Sequence, residues 1–132
     1  MKKIALLFTF LFALLSCETN HPTVNNQTSL NGKWNWVSSS GGFTGKTITP
    51  ESEKKTMTIE ISDSVIKKYQ DGKLLSKNSF SIQPQQSIFG GERKMIILDN
   101  DMPKQSFEIK DNKLYLSEEC NDCYQSEYVR IK

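Results

Sequence analysis

Apolar and polar residues alternate with a period of two along several short stretches of this chain. Met57, Ile59 and Ile61 alternate with Thr58 and Glu60; Phe107 and Ile109 flank Glu108; Leu114 and Leu116 flank Tyr115. Successive side chains of a β-strand point to opposite faces, so this spacing predicts strands with one dry and one wet face. Turn residues punctuate them. Asp71-Gly72 and Asp111-Asn112 are two-residue hairpin signals, because both positions of a type I′ turn need φ > 0. Ser62-Asp63-Ser64, Gly90-Gly91, Asp99–Pro103 and Glu118–Cys123 mark further turns. The strands read from this pattern are Lys33–Ser39, Thr56–Ile61, Val65–Tyr69, Lys73–Ile82, Arg93–Leu98, Lys104–Lys110, Lys113–Ser117 and Tyr124–Ile131. No stretch carries helical periodicity. Consecutive antiparallel strands joined by tight turns form a meander, and closure removes its exposed edges. The expected fold is therefore all-β: an eight-stranded antiparallel up-and-down barrel over residues 30–132. Its expected dry face is Trp36, Met57, Ile59, Ile61, Ile97, Phe107, Ile109, Leu114 and Leu116. In a barrel this small, such side chains either fill the interior or line a cavity for one small ligand.

The pattern changes character toward the N-terminus. Lys2 and Lys3 precede an unbroken apolar run, Ile4–Leu15. The run is shorter than the ~18–20 residues that span a bilayer and matches the core of a signal peptide. It closes on Leu14-Leu15-Ser16-Cys17, which resembles the lipobox of bacterial lipoproteins. The resemblance implies a leader over 1–16, cleavage before Cys17 and acylation of its thiol and new amine. Three acyl chains at about 0.8 kcal/mol per buried CH2 would hold the protein on a membrane. Residues 17–29 are polar, with Val24 their one strong hydrophobe. They cannot bury enough surface to offset their ordering entropy and read as a tether. Its reach is at most about 40 Å.

Charge narrows the function. The formal charge is +2, and Lys2 and Lys3 supply that excess. A balanced mature chain lacks the clustered cations that bind a phosphate backbone, so no nucleic-acid partner is expected. Hydrophobic residues make up 36% of the chain, which allows only a small core.

Leu30-Asn31-Gly32-Lys33-Trp34 resembles the Gly-x-Trp opening of lipocalins and related calycin barrels. Trp36 to Gly45, Thr49-Pro50, Leu114-x-Leu116, Cys120, Asp122 and Tyr128-x-Arg130 are similar to small lipocalin-like lipoproteins of Gram-negative bacteria. The resemblance spans nearly all of residues 30–130. It implies that Trp34 packs beneath the barrel and that Arg130 covers it, joining first strand to last. A guanidinium over an indole contributes roughly 0.5–2 kcal/mol.

Other motifs carry less chemistry. Ser40–Thr47 nearly spells a phosphate-binding loop, but Ser40 stands where glycine belongs, and Pro50 leaves little room for helix after it. It reads instead as a loop at the barrel mouth, with Phe43 over the opening. Cys120 and Cys123 form a C-x-x-C among Glu118, Glu119 and Asp122, and three states are open to it: a disulfide, free thiols, or a metal or redox site. Zinc would need two further ligands. The acidic turns match no EF-hand spacing. Asp63-Ser64-Val65 resembles a short O-glycosylation pattern of exported bacterial proteins. His21, the sole histidine, lies in the tether, so no histidine-based triad can form in the domain. The chain is expected not to be an enzyme and to use no cofactor or metal. The leading expectation is a monomeric lipoprotein of the cell envelope, anchored to the outer membrane through Cys17. It would bind a small apolar or amphipathic ligand among Trp36, Phe43, Met57, Ile59 and Phe107. The alternative is an interaction or inhibitor protein that engages an envelope protein through residues 39–55 and 118–123, around a packed barrel.

Overall fold

The turn residues identified in the sequence set the chain path. Asp71 and Gly72 adopt φ of 48° and 78°, and Asp111 and Asn112 adopt 51° and 59°, as tight primed turns require. The computed structural model describes residues 29–132. The expected leader, Cys17 and the expected tether through residue 28 lie outside the described residues.

The strands are β1 (Gly32–Gly41), β2 (Lys46–Ile48), β3 (Met57–Ser62), β4 (Val65–Gln70), β5 (Lys73–Gln86), β6 (Glu92–Leu98), β7 (Gln105–Lys110), β8 (Lys113–Glu118) and β9 (Tyr124–Arg130), with one helical turn, α1 (Pro50–Glu53). From β3 to β9 each strand pairs antiparallel with the next, and β1 pairs with both β3 and β9. These eight strands form a closed up-and-down barrel. The ninth, β2, lies beside the far end of β1, with Ser39 opposite Ile48.

One strand differs from the expectation: β2 is too short, at three residues, to carry periodicity. Helix after the glycine loop is limited, as expected, to the one turn α1, which Pro50 begins because the first helical position needs no N–H. Thr49 caps the turn: its Oγ1 accepts the Ser52 N–H at 3.2 Å, while Ser52 Oγ accepts the Thr49 N–H at 2.9 Å. The stretch expected as a loop at the mouth is thus a strand and a capped turn that return the chain to β3.

The core lies toward one end. Leu30, Trp34, Ile59, Ile61, Ile66, Phe80, Ile96, Leu114 and Leu116 form one cluster, with Leu98, Phe107, Ile109 and Tyr128 against it. Ladder register explains it, since directly paired residues share a face. Trp34 pairs with Ile59, Ile61 with Ile66, Ile109 with Leu114 and Phe107 with Leu116. Ile97 corrects the expected core. It pairs with Ser81 on the outward face, and Ile96 takes the interior position. In the run Met95-Ile96-Ile97-Leu98 both alternate sets are apolar, so hydrophobicity alone leaves the register open. Met95 is 1% exposed on the outer face, where Ile88, Met102 and Pro103 border it.

This end of the barrel is closed by Trp34 and Arg130. The Trp34 indole donates to Leu30 O at 3.0 Å. The Arg130 guanidinium carbon lies 4.0 Å from the ring centroid. Its Nη1 donates to Asn31 O at 2.9 Å and its Nη2 to Ser29 O at 2.6 Å. Gly32, with φ 140°, leaves room for that guanidinium; a Cβ there would sit 2.7 Å from Arg130 Nη1.

Candidate functional site

Farther along β1 the interior turns from hydrocarbon to mixed chemistry. A β-bulge interrupts the β1–β9 ladder between Trp36 and Ser38. The extra residue resets the alternation, so Ser39 is buried while Val37 stays exposed. Trp36 Nε1 donates to Ser39 Oγ at 2.8 Å, and that hydroxyl shares a 2.6 Å hydrogen bond with Ser126. The Trp36 indole is thereby fixed with its polar edge satisfied and its carbon face free. Tyr128 pairs with Trp36 across β9. Burial, and secondarily the Glu118 charge, push the Tyr128 phenol up to about 12, so it stays a protonated donor near neutrality.

These residues wall a recess of about 160 Å³ lined by Trp36, Ser39, Ile48, Lys55, Met57 and Tyr128. Ile48 comes from β2 and Lys55 follows α1, so the return segment supplies one wall. That segment pairs with β1 at one end, where Ser39 faces Ile48, and is tied at the other. The Asp71 carboxylate accepts the Thr56 N–H at 2.8 Å, a bond that lowers its pKa. Larger hollows of about 200 to 350 Å³ border the barrel elsewhere. Three of them are lined mainly by outward residues such as Glu108, Tyr115, Gln125, Glu127, Lys67 and Lys77, and the fourth lies on the outer face against Ile88, Met95, Met102 and Glu119.

The polar side chains nearer the core were not legible as such in sequence. Lys68 pairs with Ile59 on one side and Ser76 on the other, so it shares the inward face with Ile59. Burial lowers its pKa, and Glu118 opposes that shift. Gln105 lies in register between Ile96 and Glu118 and is 9% exposed, with its Oε1 unpaired. Lys67 and Lys68 take opposite faces of β4, and the pairing of Ile66 with Ile61 and of Lys68 with Ile59 puts Lys68 on the inner one.

The sequence-predicted ligand residues separate. Trp36 and Met57 meet at the recess. Ile59, 1% exposed, is sealed in the core beside Trp34, and Phe107 packs against the same cluster. Phe43 does not cover the opening. It is 94% exposed on the turn after β1, because Gly42 and Gly45 carry that turn away from the barrel wall. Cys120 and Cys123 form a disulfide across the β8–β9 turn. Beside it, the Glu118 carboxylate accepts the Tyr124 N–H at 3.1 Å. Gly41 makes the closure possible, since any Cβ there would collide with Cys123 O.

Fold and site together define a small closed β-barrel with one sealed end and a shallow amphipathic recess at the other. No family model, curated protein or solved structure matches the chain.

Proposed function

We propose that this chain is a membrane-anchored, lipocalin-like lipoprotein of the cell envelope that holds a small amphipathic ligand at the mouth of its barrel. The observation that carries the reading is the recess itself. A fixed indole face, a methionine and an isoleucine converge with a phenol and a serine pair, the combination of apolar wall and few polar groups that marks ligand sites. At about 160 Å³ it is below the ~300–1,000 Å³ usual for drug-sized ligands. The occupant is therefore a short chain or a single ring. The anchor assignment rests on the lipobox resemblance at Cys17, and the outer-membrane address on the resemblance of residues 30–130 to lipocalin-like lipoproteins of Gram-negative bacteria. No histidine lies in the barrel, and the reading is of a binding module, not a catalyst. Native mass spectrometry of the protein purified from its envelope tests it: the expected result is a retained small amphiphile that Trp36→Ala releases. Retention unchanged by Trp36→Ala would remove the recess from the account.

One observation favours the alternative of a protein partner. Phe43, in the 39–55 segment, is 94% exposed, and an aromatic side chain in water is a ready anchor for an interface. Under that reading Phe43→Ser abolishes capture of the partner and leaves small-molecule retention untouched.

A further inference from the structure

The β6–β7 ladder holds only two pairs, Met95 with Ser106 and Ile96 with Gln105, although β6 begins at Glu92 and β7 runs on to Lys110. Where that ladder stops, a cleft of about 320 Å³ opens on the barrel wall, within the ~300–1,000 Å³ usual for ligand sites. Arg93 and Lys94 of β6 line one side of it. The outer face of β7 and β8 lines the other, where directly paired residues stand side by side: Ser106 with Ser117, and Glu108 with Tyr115. Phe107, which also packs against the core, completes the lining.

These groups have unused bonding capacity. Ser106 is 2% exposed, and its Oγ makes no hydrogen bond among the described residues. The Glu119 carboxylate that it faces is engaged by Ser87 and Ile88. A buried hydroxyl without a partner is costly. Arg93, Lys94 and Glu108 enter none of the four ion pairs found among the described residues. Two cations against one carboxylate leave the cleft positive.

We propose that this cleft is a second binding site and that it takes an anionic sugar. It shares no residue with the recess at Trp36 and does not depend on it. Arg93 and Lys94 hold the acid head through charge-assisted hydrogen bonds, which a phosphate or a carboxylate accepts alike. Glu108 accepts from the sugar hydroxyls, and Ser106, Ser117 and Tyr115 exchange hydrogen bonds with them. A plain anion engages the cations and meets the Glu108 charge; a neutral sugar leaves the cations without a partner.

Four probes titrated into the full chain separate these contributions: glucose 6-phosphate, glucuronate, glucose and inorganic phosphate, each followed by the backbone amide resonances of Ser106 and Ser117. At least one anionic sugar is expected to bind about tenfold or more tightly than both glucose and phosphate, and which one does so identifies the head. Arg93→Gln combined with Lys94→Gln should bring that sugar down to the level of glucose, whereas Lys77→Gln, in a different charged hollow, leaves it unchanged. Glu108→Gln should narrow the sugar's margin over phosphate, because phosphate is no longer repelled. An undisturbed Trp34 indole resonance reports that each variant is folded. Phosphate or glucose binding as tightly as the sugars, or no shift at Ser106 and Ser117, overturns the proposal. So does a margin that survives loss of both cations, that Lys77→Gln also removes, or that Glu108→Gln leaves unchanged.

Discussion

Arg130 makes three contacts at the sealed end, on two physical bases. It stacks on Trp34 through the attraction of a cation for a π face, and its two terminal nitrogens satisfy the carbonyls of Asn31 and Ser29. Arg130→Ala should cost about 1–3 kcal/mol, measured as a lower urea midpoint with unchanged slope. Arg130→Lys should recover only part of it, because a point charge cannot bridge two carbonyls as a planar fork does. Lys68 presents the opposite case. Its pKa is lowered by burial, so the folded state holds this proton less tightly than the unfolded chain. The penalty is full below the folded pKa and is relieved as pH rises toward the ordinary 10.5. Lys68→Met should therefore stabilise the barrel at neutral pH by on the order of 1 kcal/mol. Thermal melts of the two proteins should converge as pH approaches that value.

Elements are tied together mainly through the β8–β9 turn. The Cys120–Cys123 disulfide spans a sequence separation of 3. So small a loop removes little unfolded-state entropy, and Cys120→Ser with Cys123→Ser should lower stability by about 2 kcal/mol by loop-closure reasoning. Chemical denaturation under oxidising conditions checks this. The same turn reaches the β5–β6 connection through Glu119, whose carboxylate accepts the Ser87 hydroxyl at 3.0 Å and the Ile88 N–H at 2.9 Å. Burial pushes the Glu119 pKa up. The facing Ser106 hydroxyl, the Ile88 N–H, the Ser87 hydroxyl and the Arg93 charge outweigh it and hold the group below 4.5. A depressed carboxylate contributes stability above its unfolded value, and loses it as pH falls through the folded one. Glu119→Gln should thus destabilise near neutrality, by under about 1 kcal/mol given solvent screening. The difference from the unaltered protein should vanish in acid; a constant difference across the range would break the linkage.

For the whole molecule, ring closure is the decisive feature. Trp34 pairs with Arg130 and Gly41 with Tyr124, so the last strand must find the first across almost the entire barrel sequence. Closing so long a loop before its contacts form is slow. Refolding is expected on the millisecond-to-second scale typical of non-local β-topologies. Stopped-flow tryptophan fluorescence should show it, with Arg130→Ala slowing folding further only where the β1–β9 seam forms in the transition state. Closure also explains why the core draws on β1, β3, β4, β5, β6 and β8 at once: no subset of strands buries it alone. Polar side chains collect beyond it because the barrel mouth lets water reach them, whereas the Trp34 end is capped.

Alternation in β3, β7 and β8, together with the Asp71-Gly72 and Asp111-Asn112 pairs, made the strands and their antiparallel order readable in the chain itself. A period of two and a φ > 0 requirement are local properties, written into neighbouring residues. Trp36 and Met57 as recess residues were readable for the same reason. The bulge at Val37 that turns Ser39 inward, the choice of Ile96 over Ile97, the inward course of Lys68 and the exposure of Phe43 were not. Each depends on which strand lies alongside and on where the ring closes, and those partners lie tens of residues away in sequence. Local chemistry set the parts and their order. Only the pairing of distant strands decided which face of each part became interior, because a side chain's surroundings belong to its neighbours in space.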